Sequence, residues 1–311
     1  MPAVLLSRDT VLALPSFAKI NLSLRVLGRR ADGYHEIRTV FQTITLADRL
    51  TLRALDDARL ELECGAPDVP ADDSNLVIRA AKLLRERFHV ARGASIRLEK
   101  SIPAGGGLGG GSSNAAVTLA ALARLWHVET TRDELSELGA TLGADVPFFF
   151  AGGTALGAGR GTEIAPLADA PGASLLVVAP RVKISTAEAY KSLNAPALTK
   201  EIAPANLLVS GAEADFSDSL PAALANDFEP VICRLHPEVG RARDALIAAG
   251  AKGALLSGSG SSVFGVFENP GEVARARARI RVEVGWRVFS CATLARGDYR
   301  AAFGECARYL S

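Results

Sequence analysis

At 311 residues the chain exceeds what one hydrophobic core usually serves, and its 49% apolar content is enough for two. Its 35 basic and 34 acidic side chains are interspersed and leave a net charge of +1, which excludes an extended nucleic-acid or anionic-membrane surface and requires any anionic ligand to be bound locally. No charge-free apolar run nears the ~20 residues of a membrane span, no basic segment precedes the short apolar start at Met1 to Asp9, and Cys64, Cys233, Cys291 and Cys306 lack C-x-x-C or metal-ligand spacing. A cytoplasmic enzyme with reduced thiols, neither secreted nor membrane-inserted, is the expectation.

From Ala18 onward Ile20, Leu22, Leu24 and Val26 alternate with Lys19, Asn21, Ser23 and Arg25, the pattern of a strand with one buried face. Lys19 and Asn21 share its polar face, either as solvated surface or as an ammonium and an amide in one cleft. Asp32-Gly33 marks a turn, and Tyr34 and His35 follow it. Strands over 37–46, 50–55 and 60–64 make the opening β-rich. A polar loop with Pro67 and Pro70 then leads to Asn75, which caps a helix with Leu76, Ala80, Leu83, Leu84 and Phe88 at helical spacing.

Residues 95–100 alternate as another strand, which runs into Pro103-Ala104-Gly105-Gly106-Gly107-Leu108-Gly109-Gly110-Gly111-Ser112-Ser113-Asn114 and then into an alanine- and leucine-rich helix ending near Trp126. Glycine admits positive φ and close approach of the backbone to a ligand. A helix start presents unpaired N–H groups and the positive end of its dipole. Strand, loop and helix start together read as a phosphate cradle, with a flexible linker as the alternative. Gly105, Gly107 and Gly110 satisfy G-x-G-x-x-G and Glu129 lies about 20 residues on, but no strand precedes Glu129 as a dinucleotide fold requires. The P-loop lysine position holds Gly111, and the protein-kinase H-R-D and D-F-G signatures are absent.

Thr131-Arg132-Asp133-Glu134 is a capping box, opening a helix that runs to about Leu142 and stops at Gly143. Gly143-Ala144-Asp145-Val146-Pro147 sets a carboxylate just past that stop, as a turn residue, an N-cap or a functional acid. A second glycine cluster covers 152–161. A buried strand over 174–179 opens the second half, and helices are expected over 185–193, 204–209 and 237–249, the last closed by Gly250. Leu256-Ser257-Gly258-Ser259-Gly260-Ser261-Ser262-Val263-Phe264 is either a tight connection or a loop that packs on another glycine loop. Residues 272–281 carry four arginines at alternate positions, which scatter around a helix and read as a solvated surface. A final strand lies near 286–294.

The order of these pieces, from the lysine strand through the glycine loop and Gly-Ala-Asp to Ser-Gly-Ser-Gly, resembles the galactokinase, homoserine, mevalonate and phosphomevalonate (GHMP) kinase superfamily over nearly the whole chain. Phe17-Ala18-Lys19-Ile20-Asn21-Leu22 is similar to its first motif, residues 103–116 to its second and 256–264 to its third. Arg30-Ala31-Asp32-Gly33-Tyr34-His35 narrows the likeness to the members that phosphorylate a cytidine-diphosphate-linked polyol on the way to isoprenoid precursors; there proline is common where this chain has Phe17, a change that touches strand entry only.

The resemblance implies an α/β architecture of the α+β two-layer kind, with an ATP-binding domain over 1–163 and a second domain over 164–311 whose last segment is free to return to the first. The active site would lie in the cleft between them. It implies ATP as co-substrate, Mg²⁺ with ligands the sequence does not assign, small-molecule substrates, and no nucleic-acid or membrane partner. Phosphoryl transfer asks for positioning and charge neutralisation, and the resemblance distributes these roles. Asp145 would be the general base, Lys19 its electrostatic partner, and Asn21 would orient lysine and acceptor. Gly105, Gly106, Gly107, Leu108, Gly109, Gly110, Gly111, Ser112 and Ser113 would hold the phosphates, with Ala104 beside them. Asn75, Leu76, Lys100 and Pro103 would border the adenine, while Tyr34, His35 and Tyr190 would enclose the cytosine. Two alternatives remain: a homoserine- or mevalonate-type kinase, which has no use for a cytosine pocket, and a catalytically silent ligand-binding relative, against which the joint presence of Lys19 and Asp145 argues.

Overall fold

The computed structural model describes residues 10–198 and 220–310. Two long antiparallel strands, β1 (Val11–Arg29) and β2 (His35–Leu55), form its spine. The first is longer than its alternating segment, and the second runs unbroken where the sequence suggests two strands. Asp48, a poor strand former, caused that apparent break, yet it pairs in register with Ser16. Register steps between Phe17 and Ala18, Asn21 and Ser23, and Val26 and Gly28 absorb the twist that so long a ribbon accumulates.

β3 (Leu60–Cys64), β4 (Gly93–Glu99), β5 (Thr154–Ala158), β6 (Glu163–Pro166) and β8 (Ala225–Asn226) complete this sheet, in the order β3-β4-β2-β1-β8 with β5 on β2 and β6 on β5. β5 is hidden in the second glycine cluster. A Cβ at Gly157 would stand 2.6 Å from the Phe41 ring, so packing accounts for glycine in that strand.

Three helices cover one side of this sheet: α1 (Leu76–Arg87), capped by Asn75, α2 (Gly110–Leu125), and α3 (Arg132–Ala140), opened by the expected capping box. α2 is buried on almost every side, as its alanine- and leucine-rich composition requires. It lies in a core with Leu50, Leu52, Val77 and Phe148 that also takes in Tyr299, Phe303 and Tyr309 from the end of the chain.

The second sheet has the order β11-β7-β10-β9, built from β7 (Ser174–Ala179), β9 (Gly253–Leu256), β10 (Val263–Phe267) and β11 (Arg287–Ala292). With it come α4 (Thr186–Leu193), α5 (Glu229–Leu235), α6 (Pro237–Ala248) and α7 (Pro270–Arg279), while α8 (Arg296–Ala301) packs on the first core through Tyr299. The helix expected over 204–209 lies outside the described residues. α5, only seven residues long, leaves too short a periodic pattern to be read from sequence. Arg275, Arg277 and Arg279 on α7 are exposed, with Val273 and Ala276 turned inward.

The two sheets meet through a shared apolar layer. Ala18, Ile20, Leu22 and Val40 of the first pack with Leu175, Val177, Leu255 and Phe264 of the second. β1 is therefore covered on its apolar face by the second sheet, and its other face is covered around Lys19 and Asn21, which are 2% and 1% exposed, so the solvated-surface reading is wrong for these two. Among the described residues no helix is long and apolar enough to cross a membrane.

Candidate active site

Lys19 and Asn21 project from the middle of β1 toward Thr39 and Phe41 of β2. Lys19 Nζ donates to Asn21 Oδ1 at 2.7 Å, lies 5.4 Å from the centre of the Phe41 ring, and stands 3.4 Å from Asp145 Oδ2. The ammonium is enclosed, whereas the Asp145 side chain is 34% exposed to the cleft. Both contacts stabilise a cation this deeply buried. Asp145 is held firmly from the C-terminal side. Val146 is buried so close to α3 that a Cβ on Gly139 would stand 2.6 Å from it, and Pro147–Phe150 forms a 3₁₀ turn with all three phenylalanines buried.

The glycine loop closes over this group. The Lys19 backbone N–H donates to Leu108 O at 2.9 Å, and a Cβ on Gly109 would stand 2.9 Å from the Lys19 side chain. Gly105, Gly107 and Gly109 have φ of +71°, +83° and +68°. The loop over 257–262 packs directly on it: Ser262 N–H donates to Gly106 O at 3.0 Å and Ser257 Oγ to Gly107 O at 3.1 Å. This resolves the reading of that small-residue stretch in favour of loop-on-loop packing. α2 starts at Gly110, two residues before Ser112. Its N-cap, Gly109, has no side chain to offer, so the N–H groups of Gly110, Gly111 and Ser112 are left for a ligand.

A cleft of about 1010 Å³ connects these parts. Lys19, Asn21, Gly107, Ser112 and Asp145 line one end of it, and Tyr34, His35, Arg160, Tyr190 and Lys191 the other. It is large enough for a nucleotide-sized substrate.

Sequence comparison fits this geometry. The GHMP kinases N terminal domain matches residues 75–153 and the GHMP kinases C terminal matches residues 206–284. The 4-diphosphocytidyl-2-C-methyl-D-erythritol kinase of Brevibacillus brevis is 40% identical over 85% of this chain and 90% of that protein; the one of Solibacter usitatus is 40% identical over 93% and 90%. The chain belongs to this family of GHMP kinases. A solved 4-(cytidine 5'-diphospho)-2C-methyl-D-erythritol kinase superposes with a TM-score of 0.75 at 35% identity over 91% of this chain and 99% of that one. The homoserine kinase of Cytophaga hutchinsonii, at 18% identity and a TM-score of 0.70 over 94% and 98%, shares the fold.

Within this GHMP kinase the remaining residues singled out from sequence divide into two groups. Ala104 and Gly105 stay on the exposed side of the glycine loop. Lys100, Asn75 and Ser113, by contrast, have their polar atoms engaged inside the protein. Lys100 pairs with buried Asp48 and donates to Asn114 Oδ1 at 3.2 Å. Asp48 also accepts from the N–H groups of Ser101 and Ile102, at 2.7 and 2.8 Å, so this cluster braces both ends of the glycine loop from behind. Ser113 is fully buried, accepts from Ser16 Oγ at 2.8 Å and gives its N–H to Gly109 O, so it faces the interior of the domain. Asn75 caps α1 through Oδ1 and gives Nδ2 to Pro70 O at 2.6 Å. Leu76 approaches the start of α2 at Gly111; it, Asn75, Lys100 and Pro103 are not among the residues lining the cleft.

At the far end the aromatic arrangement differs from the expected one. His35, not Tyr34, faces Tyr190: the rings stack with centroids 4.5 Å apart and an interplanar angle of 24°, which leaves no gap for a third ring. Tyr34 is 56% exposed, with the Arg160 guanidinium 3.9 Å over one face of its ring. Arg160 in turn donates to Asp32 Oδ2 at 2.8 Å. Sequence reasoning passed over Arg160. Its signal is its place between Gly159 and Gly161, both at positive φ, a tight turn that offers one long side chain. Burial, followed by the charge of Asp145, pushes the Tyr190 hydroxyl up to about 12, so it stays a neutral donor. Burial, followed by the charge of Arg29, lowers His35 below the usual imidazole range, which keeps the stacked ring neutral at pH 7.

Proposed function

We propose that this protein transfers the γ-phosphoryl group of ATP to a hydroxyl of 4-diphosphocytidyl-2-C-methyl-D-erythritol, giving the 2-phosphate, in the non-mevalonate route to isoprenoid precursors. The observation that carries the mechanism is the meeting of Lys19, Asn21 and Asp145 beneath the glycine loop, in the same cleft as an aromatic and cationic far end. The acceptor oxygen attacks the γ-phosphorus, a new O–P bond forms, the bond to the β,γ-bridging oxygen breaks, and ADP departs. Asp145 takes the hydroxyl proton, a role worth ~10²–10⁴-fold. Lys19 and the N–H groups at the start of α2 stabilise negative charge on the acceptor and phosphoryl oxygens.

Mg²⁺ fits these residues. Ser112 Oγ and the Asp145 carboxylate are hard oxygen donors beside the phosphate end, the type Mg²⁺ takes when phosphates and water complete its shell. Among the described residues no three His, Cys, Asp or Glu side chains converge on a metal-sized site, in keeping with an ion held chiefly by the nucleotide. When bound, it would neutralise phosphate charge.

In this reading residues 1–163 form the bulk of the ATP-binding domain and 164–311 that of the second, although the boundary cuts β6, and β8 and the end of the chain, at Tyr299 and Tyr309, return to the first. Its substrates are small molecules, it takes no nucleic acid or membrane as partner, and it works in the cytoplasm.

Two expected results test the roles. Lys19→Met lowers kcat on the order of 10²-fold while KM for ATP changes little, because the charge is needed most as negative charge develops. Steady-state kinetics that show only a raised KM for ATP would make Lys19 a ground-state phosphate binder. For cytosine, the base either stacks on the face of Tyr34 opposite Arg160 or displaces the His35 ring from Tyr190. Base stacking is worth ~1–3 kcal/mol. Where the base takes the place of His35, Tyr190→Ala raises KM for the cytidine substrate severalfold and leaves KM for ATP nearly unchanged; an unchanged KM there with a raised one in Tyr34→Ala puts the base on Tyr34, and equal weakening of both substrates counts against the pocket.

A further inference from the structure

We infer that Thr39 is a positioning residue that anchors the Asn21 amide by its nitrogen, and through that amide holds the Lys19 ammonium. The oxygen and nitrogen of a side-chain amide have nearly the same shape, so packing alone does not choose between them. Here hydrogen-bond polarity chooses. Thr39 is fully buried on β2, with its hydroxyl 2.6 Å from the carbonyl of Ser23 and 2.7 Å from the Asn21 amide. A carbonyl only accepts, so the one hydroxyl proton of Thr39 goes to Ser23. The hydroxyl oxygen must then accept from Asn21, which makes that group Nδ2. Oδ1 is left facing Lys19 Nζ at 2.7 Å. The register step between Asn21 and Ser23 falls at this spot, and a side-chain hydroxyl takes up the Ser23 carbonyl where the ladder is interrupted.

Without the hydroxyl, Asn21 Nδ2 is a buried donor with no partner, while Lys19, which only donates, still calls for Oδ1. A buried donor left unmatched is costly, so the amide has reason to shift. An amide that moves to find another acceptor slackens its hold on the ammonium, and Lys19 then leans on Asp145, at 3.4 Å. This inference rests on the reading of Lys19 as the charge partner in phosphoryl transfer. No part of Thr39 is needed to touch substrate.

The test is a double-mutant cycle. Thr39→Val, which keeps the shape and removes the hydroxyl, lowers kcat about tenfold with both KM values within about twofold, and Thr39→Ser restores kcat to within about threefold of the unaltered enzyme. Asn21→Ala is slow on its own, and adding Thr39→Val to it causes no further loss, because the amide through which Thr39 acts is gone. A merely structural threonine would instead damage both backgrounds. Should Thr39→Val fail to fold alone, the comparison of Asn21→Ala with the double variant decides, since neither contains the unmatched amide. Full activity in Thr39→Val, or a further loss on top of Asn21→Ala, overturns the inference and leaves the role of Lys19 standing. Full activity in Asn21→Ala overturns the inference together with the reading of Lys19 beneath it.

Discussion

Asp145→Asn is expected to lower kcat by on the order of 10² or more while nucleotide binding and fold persist. The amide has nearly the shape of the carboxylate but cannot take a proton, so the loss falls on the chemical step. Its position supports this separation. Asp145 is partly open to the cleft, whereas its neighbours Val146 to Phe150 are buried and fix the turn from below. The substitution also removes the charge opposite Lys19, but Asn21 Oδ1 still accepts from the ammonium at 2.7 Å, so the lysine is not stranded. Single-turnover measurements locate the loss in the chemical step, and near-normal turnover would remove Asp145 from the mechanism.

Gly107→Val is expected to abolish measurable ATP binding, for a reason the sequence did not contain. Glycine loops suggest close approach of backbone to phosphate. At Gly107, however, a Cβ would run into the backbone carbonyl of Ser257, well inside contact distance. Backbone cannot swing aside as a flexible side chain can. The clash must part the two loops and break the bonds from Ser262 N–H to Gly106 O and from Ser257 Oγ to Gly107 O. Positive φ adds ~1–2 kcal/mol for a residue with a Cβ. Gly105 provides the control. Its φ is also positive, but a Cβ there meets nothing within 4 Å, so Gly105→Ala carries backbone strain without the clash. Calorimetry should show ATP binding lost in Gly107→Val and at most moderately weakened in Gly105→Ala. A folded Gly107→Val that binds ATP normally would mean the cradle lies elsewhere.

Much of this was legible in the sequence, within definite physical limits. Alternation placed Lys19 and Asn21 on one face because strand geometry has a period of two. It said nothing of what covers that face, since Leu108, Asp145 and Gly258 arrive from distant parts of the chain. The glycine loop was readable from composition and flanking periodicity. The roles of its polar neighbours were not: Lys100 and Ser113 look like phosphate ligands until Asp48 and Ser16, distant in sequence, are seen to engage them. β5 escaped notice because its one glycine, Gly157, required beside Phe41, has no strand preference of its own and sits among other glycines. The stacking of His35 on Tyr190 joins the start of β2 to α4, a pairing that no local pattern carries.

The central claim is tested most directly by measuring ADP release with purified protein, ATP and Mg²⁺ in the presence of one acceptor alcohol at a time. The account predicts turnover with 4-diphosphocytidyl-2-C-methyl-D-erythritol, a singly phosphorylated product, and far slower release with its uridine analogue, homoserine or mevalonate. Sustained ADP release with homoserine or mevalonate and none with the cytidine compound would contradict it.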